Sequence, residues 1–175
     1  MVEYGKKWGI VGNLSPKKAP NGAQVGDLEQ MFLGRFEHTI DDKGRLTIPS
    51  RYRTVLSAGV VITRGIDGCL FIFPIARWEQ LSEKLEQFPT ITQDESRSLV
   101  RFFFTEAIDC VPDKQGRILI PTYLREYAQL RDTVIVAGVR DHLEVWNPEA
   151  YAQDNARLEK EVRAFATTLS QQRIL

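Results

Sequence analysis

Two short stretches of the sequence place an aspartate, a glycine and an arginine at the same spacing. The chain reads DDKGRLTIPSRYR from Asp41 and DKQGRILIPTYLR from Asp113, so an arginine follows each aspartate by four residues, as Arg45 and Arg117. A guanidinium can donate two parallel hydrogen bonds to a phosphate or to a guanine edge. Each arginine could instead pair with the aspartate of its own motif and only stabilise a turn. These two roles are compatible, because the aspartate could orient the arginine.

The residues around the first arginine suggest different contacts for different side chains. Arg45 follows a turn and begins a strand, so its side chain can extend past the tip of a two-stranded ribbon, a shape that fits a DNA major groove. Lys43 lies at the tip and, as a flexible point charge, suits a phosphate. Arg51 and Arg53 fall on a short helix, where phosphate contact is one interpretation and a solvated helix face is the other. We therefore take Asp41, the partner of Arg45, together with these four as candidate DNA-binding residues.

The second motif repeats this arrangement with altered charges. Asp113 and Arg117 repeat the pair, and Lys114 supplies the cation of the second turn, one position earlier than Lys43 in the first. We rank the second motif below the first as a DNA contact, with a structural role for Arg117 as the alternative.

The elements that must hold the first motif follow from its turn signals. Asp at the first and Gly at the fourth position of DDKG favour a type I turn in which Gly44 takes a positive φ. Residues 32–40 and 45–48 are therefore predicted to form a hairpin whose tip is this turn. Pro49 suits the first turn of a helix. Two further strands, GVVITRG and CLFIF, and a helix that begins after Pro74 complete this half.

The same order of elements then recurs. A bridging helix leads to AIDCVP, the turn DKQG, the strand RILI, a helix after Pro121, the strands TVIVAG and HLEVW, and a long helix that begins near Pro148. We predict a flexible extension at residues 1–30, a first half at 31–88, a bridging helix at 89–107, a second half at 108–155 and a C-terminal helix at 156–175. For the extension, a basic arm that grips phosphates is the alternative.

The recurrence is regular enough to indicate an internal duplication. Five residues of the first motif recur 72 positions later, namely Asp41, Gly44, Arg45, Pro49 and Arg53, which match Asp113, Gly116, Arg117, Pro121 and Arg125. Each half offers about four short strands, which would be marginal alone. Two halves that interleave into one closed barrel would remove the exposed strand edges.

At these residues the sequence resembles the MraZ family of bacterial transcription regulators. The segments MFLGRFEHTIDDKGRLTIPSRYR and DKQGRILIPTYLREYAQL look like the two halves of that family, over roughly residues 31–155. The resemblance implies an α+β fold, a duplicated AbrB-like swapped or double-split β-barrel with flanking helices. It also implies a ring-shaped homo-oligomer that binds double-stranded DNA at direct repeats upstream of the division and cell-wall gene cluster, and no enzyme activity.

Charge is distributed in a way that suits this resemblance. The chain has 23 basic and 23 acidic residues, so no global field draws it to DNA. Residues 31–64 hold six Lys or Arg against three Asp or Glu, a net of +3, whereas residues 141–161 hold two against six, a net of −4. A modest basic patch, repeated around an oligomer, would multiply phosphate contacts.

Other functional classes find little support in the sequence. No nucleophile elbow, phosphate-binding loop or dinucleotide fingerprint is present, and a zinc site would need four scattered ligands, Cys69, Cys110, His38 and His142. We therefore expect no enzyme activity, no metal, no cofactor, no small-molecule substrate and no membrane partner. The two cysteines fit a reducing cytosol, and DNA binding would place the protein at the nucleoid.

Two alternatives remain open at this point. The acidic helix at residues 148–161 could make the chain a protein-interaction module of the antitoxin kind, in which an acidic tail blocks a basic toxin. A ring scaffold without a ligand is the other.

Overall fold

A computed structural model of the chain describes residues 31–87 and 94–171, and this part of the chain forms an α+β fold. The strands are β1 Phe32–Thr39, β2 Arg45–Thr47, β3 Val60–Arg64, β4 Leu70–Pro74, β5 Ile108–Cys110, β6 Arg117–Leu119, β7 Thr133–Arg140 and β8 His142–Trp146. A 3-10 turn at Ser50–Tyr52 runs into the first of the helices, which are α1 Arg53–Leu56, α2 Ile75–Glu86, α3 Asp94–Thr105, α4 Thr122–Tyr127 and α5 Pro148–Gln171. The flexible extension expected at residues 1–30 lies outside the described residues.

The strands form one antiparallel sheet and one separate ribbon. The sheet has the order β1-β7-β8-β4-β3-β5, and β2 pairs with β6 in the ribbon. The pairs β1–β7, β8–β4, β5–β3 and β2–β6 each join one half of the chain to the other. The matching strands of the sheet are β1 and β5, β3 and β7, and β4 and β8. If each strand is replaced by its match, the result is the same sheet order read from the opposite edge. The halves are therefore interleaved with near two-fold symmetry.

The predicted hairpin between residues 32–40 and 45–48 is wrong in its pairing. Strand β1 pairs along its whole length with β7, from Phe32 opposite Arg140 to Thr39 opposite Thr133, and meets β2 only at the bridge between Ile40 and Leu46 within the described residues. The reason is length, because the three-residue β2 could pair with few residues of the eight-residue β1, whereas β7 pairs with all eight of them.

Most of the other elements agree with the sequence patterns. The turn glycines Gly44 and Gly116 have φ values of 78° and 74°, which confirms the turn prediction. The bridging helix runs over Asp94–Thr105, and the last helix begins at Pro148, so it crosses the boundary expected between residues 155 and 156. The assignment of the two halves to AbrB-like units stays a prediction. Among the described helices, none is both long and apolar enough to cross a membrane.

The ribbon is fixed to the rest of the fold by a shared hydrophobic core. Leu46 and Ile118 point inward from β2 and β6 with 1% exposure each, and the next inward residues, Ile48 and Ile120, are fully buried. Full burial of such a side chain contributes about 1.5–3 kcal/mol. The Tyr52 hydroxyl also accepts a hydrogen bond from the backbone N–H of Leu33 and donates one to its carbonyl. The buried residues of the ribbon therefore hold the two flanking turns in a fixed position on the core.

Candidate nucleic-acid interface

The first turn is closed by its aspartate. One carboxylate oxygen of Asp41, Oδ1, accepts hydrogen bonds from the backbone N–H groups of Lys43 at 3.0 Å and Arg45 at 2.9 Å. The other, Oδ2, accepts a hydrogen bond from Nε of the Arg45 guanidinium at 2.7 Å, and Nη2 lies in ion-pair contact with it, also at 2.7 Å. The backbone N–H of Gly44 donates to the Asp41 carbonyl at 2.9 Å. This network fixes both the turn and the direction of the arginine.

The second turn repeats this network bond for bond. Oδ1 of Asp113 accepts from the backbone N–H groups of Gln115 and Arg117, both at 2.9 Å. Oδ2 accepts a hydrogen bond from Nε of Arg117 at 2.8 Å, and Nη2 lies in ion-pair contact with it at 2.7 Å. The interpretation that each arginine pairs with its own aspartate is therefore confirmed for both motifs.

The pairing favours the charged forms of Asp41, Asp113 and Arg45. The Arg45 side chain, then its backbone N–H, lower the pKa of Asp41 below its ordinary range. The corresponding bonds from Arg117 lower the pKa of Asp113 to about 2. The hydrogen bond that Arg45 donates to Asp41 raises the pKa of Arg45, and the negative charge of Asp113 adds to that effect. The two motifs are close neighbours because β2 and β6 pair, with Thr47 opposite Arg117.

The salt bridges orient the two arginines without using all their donors. Nε and one hydrogen of Nη2 face the aspartate, so both hydrogens of Nη1 and the second hydrogen of Nη2 remain. These donors form the end of the guanidinium fork. The side chains of Arg45 and Arg117 are 31% and 27% exposed, so a partner can reach this end from solvent.

The register of the ribbon brings both arginines to one face. Arg45 lies opposite Leu119 and Thr47 lies opposite Arg117. Because side chains alternate along a strand, these four share the outward face, while Leu46 and the residue opposite it point into the core. We call this outward face, formed by Arg45, Thr47, Arg117 and Leu119, the ribbon face. The separate sequence motifs thus become one continuous surface.

Arg53 has a structural contact that the sequence did not reveal. Its Nε donates to the carbonyl of Ile48 at 3.1 Å, and a Cβ added at Gly116 would lie only 2.6 Å from that nitrogen. Arg53 therefore packs on the turn of the opposite half.

Arg125 is the matching residue of the second half, and it was missed as a site candidate. Its Nε donates to the carbonyl of Ile120 at 3.1 Å, and its guanidinium lies 3.1 Å from the position of a Cβ at Gly44. It follows Arg53 by 72 residues, so the repeat itself carried the signal. Arg125 thus lies beside the first motif and brings a further positive charge to it.

The other candidate cations, Lys43, Lys114 and Arg51, are exposed at or beside the two turns. Lys43 and Lys114 are exposed on the two turns, and no described carboxylate lies within ion-pair distance of either. The guanidinium of Arg51 lies over the ring of Tyr52, 5.1 Å from its centroid. These side chains are available to a partner, whereas Arg64 is held by the Phe102 carbonyl, to which it donates at 2.9 Å.

The scattered cysteines and histidines do not assemble into a metal site in the described part of the chain. In residues 31–87 and 94–171 no group of three His, Cys, Asp or Glu side chains is placed to hold a metal ion. Cys69 belongs to a small cluster with Ile135 and Trp146, whereas Cys110 packs against the main core. Burial raises the pKa of both thiols, which makes them poor nucleophiles.

We expect acid to weaken the second turn in a defined pH range. The folded state holds the pKa of Asp113 at about 2, below its ordinary 3.8, so its stabilisation is present above pH 4 and is lost as the pH falls towards 2. Urea unfolding of the wild type and of Asp113→Asn should therefore differ above pH 4 and converge near pH 2. Asp42→Asn, an exposed neighbour of the first turn, is the control. A wild-type advantage that stays constant from pH 5 to pH 2 would contradict this assignment.

Comparison with known proteins matches the sequence of this chain to one family. The family model described as "MraZ protein, putative antitoxin-like" matches the chain twice, at residues 31–101 and 103–173. A transcriptional regulator MraZ of Roseiflexus castenholzii is 48% identical over 143 residues, which cover 82% of this chain and 99% of the relative. Those of Desulforamulus reducens and Lactiplantibacillus plantarum are 42% and 46% identical, over 79% and 70% of this chain and 97% and 86% of the relatives.

Proposed function

This chain belongs to the MraZ family, and from that premise we propose that it is a transcriptional regulator that binds DNA in a sequence-specific manner. The observation that carries the proposal is the ribbon face, on which two arginines are each oriented by an aspartate. The names of the relatives supply the regulatory role. No enzyme activity forms part of this proposal.

The ribbon face would read base edges in the major groove. A two-stranded ribbon fits that groove, and the free fork end of Arg45 suits the O6 and N7 acceptors of guanine. Lys43 and Arg51, which are exposed beside it, would contact phosphates and set the register. Arg117 would read a second base at the other end of the ribbon, with Lys114 on a phosphate. Arg53 would contribute indirectly, because it packs on Gly116 and so holds the turn that carries Lys114 and Arg117.

The interleaved strands support the finer description of the fold. Every pair that joins the halves is matched by its symmetry partner, and the backbone N–H groups of Ile48 and Ile120 donate to the carbonyls of Gly116 and Gly44 across the two halves. We propose that this is a duplicated AbrB-like barrel in a single chain.

We also propose that the protein acts as a ring of identical subunits on direct repeats upstream of the division and cell-wall gene cluster. Helix α5 exposes Leu158, Val162 and Phe165, between 44% and 56% each, which supports a contact with a neighbouring subunit. The net charge of +3 in residues 31–64 is too small for tight binding by one copy. Repetition around a ring would supply the avidity, and DNA binding would place the protein at the nucleoid of the cytoplasm.

Binding should strengthen steeply with the number of operator repeats. Each neutralised phosphate adds about −0.9 to the slope of log affinity against log salt, so several engaged subunits should give a larger slope than one. We would titrate the protein at several salt concentrations on duplexes from the region upstream of its own gene that carry one or several repeats. Inserting about half a helical turn, ~5 bp, between repeats should turn one repeat to the wrong face and remove the gain.

Equal affinities and equal salt slopes on the single, multiple and respaced duplexes would reject the ring mechanism. Tight binding to the multiple-repeat duplex and equally tight binding to a scrambled duplex of the same length would reject sequence specificity instead. The two parts of the proposal therefore fail separately.

A protein-interaction module of the antitoxin kind is the second candidate, and the family description is consistent with it. Helix α5, however, pairs its own charges, since Arg157 bonds to Asp154 and to Glu161. Over residues 148–171 the helix holds four Asp or Glu against three Lys or Arg, a net of −1, which offers little attraction to a basic partner. An electrophoretic mobility-shift assay with the upstream DNA separates the two candidates. A regulator that binds this DNA slows its migration, whereas a module that binds only protein does not.

A further inference from the structure

The ribbon face contains one apolar side chain among polar ones. Leu119 lies directly opposite Arg45 and is 54% exposed. Its matching residue in the first half is Thr47, which lies opposite Arg117 and is half-buried. The ribbon is thus symmetric in its arginines and asymmetric in the residues that lie opposite them.

Leu119 is not needed for the hydrophobic core. It belongs to neither cluster of buried residues in the described part of the chain, and its strand neighbours Ile118 and Ile120 supply the inward contacts. An exposed leucine gains free energy only when a partner removes it from water. Its position on the ribbon face, beside an oriented guanidinium, indicates where that partner lies.

We infer that Leu119 is a specificity-determining residue that packs against the C5-methyl group of a thymine next to the guanine contacted by Arg45. The inference rests on the proposed DNA-binding function. In the major groove the thymine methyl is the one apolar feature of a base edge. Directly opposed side chains on paired strands have Cβ atoms about 4.5–5.5 Å apart, close enough to reach neighbouring base pairs that rise about 3.4 Å per step.

The asymmetry gives the two ends of the ribbon different preferences. At the first end, Arg45 and Leu119 combine a guanine reader with a methyl reader. At the other end, Arg117 stands opposite Thr47, whose side chain has one methyl group and a hydroxyl that bonds to either kind of base edge. A duplex can therefore be bound in a single orientation although the two halves fold alike.

The test removes the methyl group from the DNA and its partner from the protein. The probe is a single-copy duplex that the wild type enriches from a random-sequence library, with each thymine replaced in turn by deoxyuridine. Wild-type affinity should fall about four-fold at the thymine beside the contacted guanine, the effect expected for one buried methyl group. Leu119→Ala should bind the thymine and deoxyuridine duplexes equally, while Leu33→Ala, a 45% exposed leucine on β1, should behave as the wild type.

Four outcomes would overturn the inference. If Leu119→Ala still binds the deoxyuridine duplex more weakly than the thymine duplex, another group contacts the methyl. A flat deoxyuridine scan on a duplex whose binding still requires Arg45 would reject the methyl contact and leave the proposed function intact. A change in assembly mass of Leu119→Ala, by light scattering, would assign the leucine to a subunit contact. Failure to enrich any duplex, from this library or from one that carries several direct repeats of the randomised site, would reject the proposed function together with the inference.

Discussion

Replacing Arg45 with alanine is expected to abolish sequence-specific DNA binding while the fold and the assembly state stay intact. Loss of one bidentate base contact costs about 1–3 kcal/mol, or roughly 5–150-fold in affinity, and the loss recurs in every subunit that touches DNA. The side chain is partly exposed and lies outside both hydrophobic clusters, so its removal leaves the core unchanged. Binding to the upstream duplex by titration, with thermal unfolding and light scattering beside it, measures all three properties.

Two further variants separate orientation from charge. Arg77→Ala removes a cation from helix α2, where it donates to Gln80, and should leave specific binding unchanged. Asp41→Asn keeps Arg45 but loses the charged partner that directs it, so specific binding should fall while binding to scrambled DNA holds. An Arg45→Ala protein that binds its operator with wild-type affinity would show that this arginine is not the reader.

Replacing Gly116 with valine should destabilise the fold by about 2–4 kcal/mol. The backbone φ of 74° is strained for a β-branched residue by about 1–3 kcal/mol. The new Cβ would also lie 2.6 Å from Nε of Arg53, which must then move and release its hydrogen bond to Ile48, a further loss of about 0.5–1.5 kcal/mol. Gly44→Val should follow the same course against Arg125, with a milder contact of 3.1 Å. Chemical unfolding of each variant gives the free energies.

The control for this prediction is another glycine with the same backbone conformation. Gly68 has a φ of 79° and nothing within 4 Å of an added Cβ, so Gly68→Val should show the strain alone. In an Arg53→Ala background, the additional cost of Gly116→Val should approach that of Gly68→Val. If Gly116→Val and Gly68→Val lose the same stability in the wild-type background, the contact with Arg53 has no energetic role.

The local features of the site were accessible from the sequence because they depend on neighbouring residues. The spacing of Asp41 and Gly44 specifies a turn through backbone hydrogen bonds and a positive φ, and these act over four residues. The ion pair between Asp41 and Arg45 is local in the same sense, because its two residues are four positions apart. The recurrence of this motif at Asp113 and Arg117 then predicted a second site of the same kind.

The features that depend on distant residues were not accessible in the same way. Strand β1 pairs with β7, about a hundred residues away, and no local signal distinguishes that partner from the nearby β2. The same holds for Arg53, whose contact on Gly116 crosses from one half to the other. The ribbon face exists only because β2 and β6 pair across the repeat, so its asymmetric pair of Thr47 and Leu119 emerges from the structure alone.

The most direct test of the account pairs one atom of the DNA with one side chain of the protein. The wild type and Arg45→Ala would be titrated on the upstream duplex and on copies in which single guanines are replaced by 7-deazaguanine, which lacks the N7 acceptor. We expect one such guanine to weaken wild-type binding about ten-fold or more and to leave the residual binding of Arg45→Ala unchanged. Wild-type binding that is indifferent to every substituted guanine, or a loss that is the same in both proteins, would contradict the claim that the ribbon face reads sequence through Arg45.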